Sequence, residues 1–281
     1  MMVNGSNLTT PADQPPSPPP PPSSPEPDLI GLEPLATAHL RPTLPGGGVV
    51  LRATPDEVYD AACADLLIQA NNCVRTFGDF HLAVTATAAA EPFLARLMWD
   101  PQMRDLPWKR THLWISDTEH EIHGSESIKG LLVEHSDLPL EQFHPLPPSY
   151  PGDESTLAMY EATLRETLGW RERGHDRLDH VILSLDPASP LVRPVLASPP
   201  GTLIMQAPHG LGSMMTMDLL NAARFLAVIG VGQRAARELS DQWRATPPVE
   251  RKTPSGEMPL GLRLRPHAGE LRWYLDAASM E

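Results

Sequence analysis

The order of apolar runs and amphipathic stretches predicts a doubly wound α/β domain: a mainly parallel sheet with helices on both faces, modified Rossmann-like, behind a disordered proline-rich N-terminal tail. Three observations carry this prediction. The runs "FHLAVTA" (80–86), "HVILSL" (180–185) and "FLAVIG" (225–230) are near-continuously apolar, as strands covered on both faces are. Between them lie helix-patterned stretches, clearest in "STLAMYEATLRETLGWRE" (155–172), where Leu157, Tyr160, Leu164 and Leu168 share a face. Alternation of the two periodicities is the mark of β–α–β units, and there is no internal repeat.

Taken in order, the domain begins after "LPGGG" with a short strand, "VVLRA" (49–53). "TPDE" (54–57) is a helix start, with Thr54 as N-cap, Pro55 at N1 and Glu57 at N3, and the helix is expected to reach about Asn72. Strand 80–86 follows, then a helix over 88–99 bent or started near Pro92, and the strand "THLWIS" (111–116). After helix 155–172 come strands at 180–185 and 202–206, a helix near 217–224, strand 225–230 and a helix over 232–244. A terminal pair of strands, "LGLRLRP" (260–266) and "ELRWYLD" (270–276), closes the domain.

Residues 1–46 are set apart as a tail and 47–281 as the folded domain. "PPSPPPPPSSPEP" (15–27) is a polyproline II tract whose prolines donate no backbone hydrogen bond, and it has almost nothing apolar to bury. It is a spacer or a docking segment for a protein partner. No basic leader followed by an apolar run and no 18-residue apolar stretch occurs, so the expectation is a cytoplasmic protein without a membrane span. Cys63 and Cys73 lie ten apart on one expected helix, roughly 15 Å, too far for a disulfide. The net charge of −13, with three lysines among 22 basic residues, excludes a general nucleic-acid footprint.

Several segments together resemble the 6-phosphogluconolactonases and the wider superfamily that includes glucosamine-6-phosphate deaminase (isomerase). "MTMDLLNAARFLAVIGVGQRA" (215–235) and "PLGLRLRPHAGELRWYLDAAS" (259–279) look like the family's C-terminal part, matched at Asn221, Ala222, Ala223, Arg224, Gly230, Trp273, Leu275, Asp276, Ala277 and Ala278. "WKRTHLWISD" (108–117) is similar to the family's Trp-x-x-Val-x-x-Phe-x-x-Asp strand, and Ala158, Tyr160 and Leu164 fall where the family has Ala-x-x-Tyr-x-x-x-Leu. The resemblance covers roughly 48–279. It implies a sugar phosphate or sugar lactone as ligand and no cofactor.

The same comparison exposes losses. Family members carry Ser-Gly-Gly-Ser-Thr-Pro where this chain has "TATAAA" (85–90), leaving Thr85 and Thr87 as hydroxyls for a substrate. An Asp-Glu-Arg becomes Asp117, Thr118, Glu119, and the family's phosphate-binding Arg and Lys fall on Gly212 and Gln233, with Arg234 adjacent. The loop after strand 180–185, where the family places a catalytic His and Asp, reads "SLDPASPLVRP" with no His; Asp186 stands for the Asp, Ala188 and Ser189 for an Ala-Ser pair, and Arg193 is a cation near the mouth. Losing two charge-assisted contacts to phosphate costs roughly 3–6 kcal/mol, and a missing general base about 10²–10⁴ in rate.

"SDTEHEIHGSES" (116–127) offers a rescue, since Asp117, Glu119, His120, Glu121 and His123 crowd a strand end. His120 or His123 could act as a base, but two His three apart with scattered carboxylates fit no standard metal-ligand spacing, so no metal is expected. The candidate catalytic residues are therefore Asp117, His120 and Asp186, and the substrate-binding ones Thr85, Thr87, Arg193 and Arg234. Three readings remain: a catalytically impaired, pseudoenzyme-like domain; an active hydrolase or isomerase on a related sugar derivative using the 117–123 loop; and a structural subunit recruited through its tail.

Overall fold

The computed structural model describes residues 47–118, 123–147, 154–172, 175–187, 189–192, 198, 200–207, 212–244 and 260–280. The proline-rich tail and its expected disorder lie outside these residues.

The strands are β1 (Gly48–Arg52), β2 (Phe80–Thr85), β3 (Thr111–Thr118), β4 (Phe143–His144), β5 (His180–Ser184), β6 (Ile204–Gln206), β7 (Ser213–Met215), β8 (Phe225–Gly230) and β9 (Glu270–Asp276). They form one sheet in the order β1-β9-β8-β5-β2-β3-β7-β6, with β4 also paired to β3. Every pairing from β1 to β3 is parallel, and the β3–β7 and β7–β6 pairings are antiparallel. All residues of β2, β5 and β8 are buried, so both faces of the central sheet are covered and the continuous apolar runs have their explanation. β1 is the exposed edge, with Val49 and Leu51 at 47% and 40% exposure.

The helices are α1 (Pro55–Phe77), α2 (Glu91–Trp99), α3 (His123–Leu131), α4 (Glu154–Gly169), α5 (Met217–Ala222), α6 (Gly232–Arg244) and α7 (Leu260–Arg263). Helix α1 starts as expected: Thr54 Oγ1 accepts the Glu57 N–H at 3.3 Å, and the Glu57 carboxylate takes the N–H of Ala53 at 3.0 Å. It runs five residues past Asn72 and stops at Gly78, whose φ of 93° only glycine adopts without strain, with its N–H on the Val74 carbonyl at 2.9 Å. Cys63 and Cys73 are free and buried on this helix, and burial pushes both thiols up to about 12.

One expected element is corrected. Residues 260–266 do not form a strand; Leu260–Arg263 is a short helix, and the Leu264 N–H bonds the Leu260 carbonyl at 3.0 Å. The alternation Leu260, Leu262, Leu264 suggested a strand, but Leu260 and Leu264 also stand at helical spacing and both are fully buried. A strand there could not have paired with β9, which already pairs with β8 on one side and β1 on the other. Sequence reasoning also missed α3 and the short β4 and β7. β7 is three residues long and is held by antiparallel bonds to β3 and β6, a contact that no local pattern announces.

This strand order positions the site. From β2 the chain steps to β3 on one side, whereas β5, β8 and β9 build outward on the other, so the order reverses at β2. Crevices form at the carboxyl ends of strands at such a reversal. Thr85, Asp117, Ser184 and Asp186 stand there.

Candidate functional site

At the carboxyl end, Thr85 is a stitch between strands. Its Oγ1 donates to the Ile182 carbonyl at 3.3 Å and accepts the Ser184 N–H at 3.2 Å. Its register partner across the β2–β3 ladder is Asp117, at a point where the pairing shifts. Asp117 is fully buried and accepts hydrogen bonds from the hydroxyls of Ser116, at 2.8 Å, and of Ser189.

Ser189 belongs to the segment after β5, and the way that segment folds decides what the site can do. The Asp186 N–H bonds the Ser184 carbonyl and the Ser189 N–H bonds the Asp186 carbonyl, each at 2.9 Å, which turns the chain back over the sheet end. Leu191 and Val192 then enter the hydrophobic core. Ser189 Oγ, while donating to Asp117, accepts the Leu191 N–H at 3.2 Å. The carbonyl of Leu191 receives Arg263 Nη2 at 2.6 Å. Arg263 is buried, and burial pushes its guanidinium down to about 10. Residues 185–187 and 189–192 are thereby fastened as a plug at this end of the sheet.

Asp186 is buried too, 3.8 Å from Arg234 Nη1, itself 67% exposed. Arg234 thus sits at the mouth opposite a carboxylate rather than facing elsewhere on its helix. Thr87 is 8% exposed, and its Oγ1 has no hydrogen-bond partner among the described residues. His120 and Arg193 lie outside the described residues.

The stretch before α2 is poorly disposed toward an anion. The N–H groups of Ala90 and Glu91 bond the carbonyls of Thr87 and Ala88 at 3.0 and 3.3 Å, so two donors of the helix start are already used. Ala86 and Ala90 are buried, and α3 presses so close that a Cβ on Gly124 would stand 2.6 Å from the Ala86 carbonyl oxygen. Gly212, where a phosphate-binding Arg would fall, has φ 111°, a conformation that an L side chain strains to adopt. At the start of α6 the Gly232 N–H is likewise already used, bonded to the Asp276 carboxylate at 3.0 and 3.1 Å.

The opposite end of the sheet holds a second cluster of titratable groups, and it is structural. Arg171 donates to Asp79 and to Asp179, Arg224 donates to Asp179 at 3.0 Å, and both guanidiniums lie over the Phe77 ring. Asp79, His81 and His112 bring candidate ligand atoms within 4.8 Å of one another. The tautomer argues against a metal: Trp114 Nε1–H donates to His81 Nδ1 at 3.2 Å, so the neutral ring carries its proton on Nε2 and donates it to Asp79 at 3.0 Å. No lone pair of His81 is left for an ion. Burial works to raise the Asp79 carboxyl, but bonds from His81 and Arg171 outweigh it and hold it below the usual range. His112 and His144, joined by a 3.1 Å N···N hydrogen bond, are pushed down to about 4 and about 3, chiefly by burial.

Three of the residues on which the resemblance rests serve the scaffold. Arg224 is in the buried ion network, Asn221 holds the Arg263 carbonyl at 2.9 Å and the Arg265 N–H at 2.7 Å, and Asp276 caps α6. Sequence reasoning missed Arg263 as a member of the site, because its role depends on a loop more than 70 residues away in sequence.

The fold is shared with known proteins. The family model for glucosamine-6-phosphate isomerases/6-phosphogluconolactonase matches residues 53–187, ending within the turn that begins the plug. The human GDH/6PGL endoplasmic bifunctional protein is 27% identical over 258 residues, which is 81% of this chain and 29% of that protein. This chain therefore spans less than a third of the length of that relative. Among solved structures, 6-phosphogluconolactonase from Trypanosoma cruzi superposes with TM-score 0.64 at 14% identity, covering 86% of this chain and 98% of that one. The enzyme from Thermotoga maritima gives TM-score 0.61 at 14% identity, covering 82% and 99%. These two likenesses are of fold.

Proposed function

We propose that this chain, matched over residues 53–187 by the model for glucosamine-6-phosphate isomerases/6-phosphogluconolactonase, is a sugar-phosphate-metabolism domain whose lactone hydrolysis is impaired, and that it acts as a pseudoenzyme, a binding or scaffold subunit. One observation carries the proposal: the loop after β5 contains no histidine and folds inward, so that its Ser189 hydroxyl satisfies the buried Asp117 carboxylate. A general base must reach a proton on water or substrate. Asp117, held by two serines, and Asp186, beside Arg234, are instead engaged with the protein itself.

The test is proton release from 6-phosphogluconolactone, corrected for spontaneous hydrolysis. The expected result is no rate above background; activity within tenfold of an ordinary lactonase would overturn the proposal. A second reading draws on the two buried carboxylates at one strand end: an active hydrolase or isomerase on a related sugar derivative, using the 117–123 loop. It predicts turnover that Asp117→Asn or His120→Ala abolishes.

A cytoplasmic location and a protein partner for the proline-rich tail belong to the same proposal. Among the described residues no helix is long and apolar enough to cross a membrane. The human relative is named an endoplasmic protein, so fractionation of the full chain between cytosol and endoplasmic reticulum decides the first point. Co-purification with and without residues 1–46 decides the second.

A further inference from the structure

We infer that the crevice at the carboxyl ends of β2, β3 and β5 is a latent site for an uncharged polyhydroxylated ligand, a neutral sugar or sugar alcohol, with one ligand hydroxyl replacing that of Ser189 on Asp117 and another pairing with Thr87. The inference rests on the reading that the domain binds a sugar derivative without hydrolysing it.

Asp117 sits in a setting built for hydroxyls. Its two carboxylate oxygens each accept one, from Ser116 and from Ser189. A pair of hydroxyls on one carboxylate is also how a vicinal diol is held. Ser116 is fixed on β3, whereas Ser189 arrives on the plug. Its hydroxyl stands in for the ligand.

Thr87 supplies the independent observation. Its Oγ1 is buried with no hydrogen-bond partner among the described residues, and a buried hydroxyl in that state calls for a partner. It lies two residues beyond Thr85, the register partner of Asp117, and so at the same end of the same strand pair.

Charge selects the class of ligand. Among the described residues, the charged side chains at this end include the Asp117 and Asp186 carboxylates, the buried Arg263 guanidinium, which donates to the Leu191 carbonyl, and the Arg234 guanidinium, exposed at the mouth beside Asp186. The Ala90 and Glu91 N–H groups are bonded to carbonyls. A phosphate dianion would meet the two carboxylates and helix-start N–H groups that are already bonded, whereas a neutral polyol brings its own donors to the carboxylates.

Calorimetry of the full chain with sorbitol, glucose and their 6-phosphates tests this. The expected result is saturable binding of at least one neutral compound, tenfold or more tighter than its 6-phosphate. Thr87→Val, which keeps the side-chain shape, should weaken that binding about tenfold, and Ser189→Ala should strengthen it several-fold by removing the competitor for Asp117. Tighter binding of a 6-phosphate, or no saturable binding of any neutral compound to wild type and Ser189→Ala alike, overturns the inference. So does unchanged affinity in Thr87→Val, which stands should Ser189→Ala fail to fold. Lactone turnover would instead defeat the parent reading, whereas a chain inactive on lactones that binds no neutral sugar defeats only this one.

Discussion

Replacing Arg171 with methionine should unfold the amino-terminal end of the sheet in a pH-dependent way. The Arg171 side chain is almost fully buried and donates Nε to Asp79 at 3.1 Å and Nη1 and Nη2 to Asp179 at 2.9 and 2.8 Å. Methionine fills much of the same volume, so the loss is electrostatic. Removing one partner of a buried ion pair costs about 3–5 kcal/mol, because the other charge stays buried without compensation. Here Arg224 still serves Asp179, and His81 still serves Asp79, so the lower end, about 3 kcal/mol at pH 7, is expected. The sign with pH follows from Asp79, whose folded carboxyl lies below its ordinary value. A depressed carboxylate contributes stability above its unfolded pKa of about 3.9 and loses it as pH falls through the folded value. Without Arg171 that carboxyl rises and is neutralised sooner, so the deficit should shrink between pH 7 and pH 4. Urea unfolding at a series of pH values measures it. A deficit below about 1 kcal/mol, the size expected of an exposed ion pair, or one independent of pH, would refute the reasoning; Arg165→Ala, at the exposed pair with Glu161, is the control.

His180, buried on β5 with its pKa pushed down to about 3 by burial, should make the fold acid-sensitive. The unfolded chain takes up its proton near pH 6.5 and the folded chain does not, so stability falls by up to about 2.7 kcal/mol from pH 6.5 to 4.5, and His180→Leu should flatten that limb of a urea series. Gly212→Arg, meant to restore a phosphate contact, should lower stability by about 1–3 kcal/mol because of its φ of 111° and give no affinity for glucose 6-phosphate in calorimetry. A chain starting at Leu44 should melt within a few degrees of the full chain, since "PPSPPPPPSSPEP" has so little to bury; a larger drop would show that the tail packs on the domain.

The fold was legible in the sequence wherever one segment's own pattern sufficed. The runs at 80–86, 180–185 and 225–230 announced strands covered on both faces, Thr54 with Glu57 announced the start of α1, and both cysteines were rightly read as packed thiols on one helix. That the stretch after β5 holds no histidine and that 85–90 hold no glycine could also be read directly, because each is a matter of which residues are present. Periodicity misled at 260–266, where Leu260 and Leu264 satisfy both repeats and the occupied flanks of β9 leave no place beside it for a strand.

What the residues after β5 bond to was decided only in three dimensions. Ser189 and Asp117 are 72 residues apart, as are Arg263 and Leu191, and no local pattern encodes either bond. They meet because β3 and β5 flank β2 and because α7 lies where the loop turns inward, so the plug is a property of strand order rather than of any stretch of chain. The sequence by itself determined the class of fold and which residue types each strand-end stretch carries, since both depend on composition and spacing along the chain. Only the tertiary structure decided that Asp117 meets Ser189, because burying Asp117 required a hydroxyl partner and packing brought Ser189 to it.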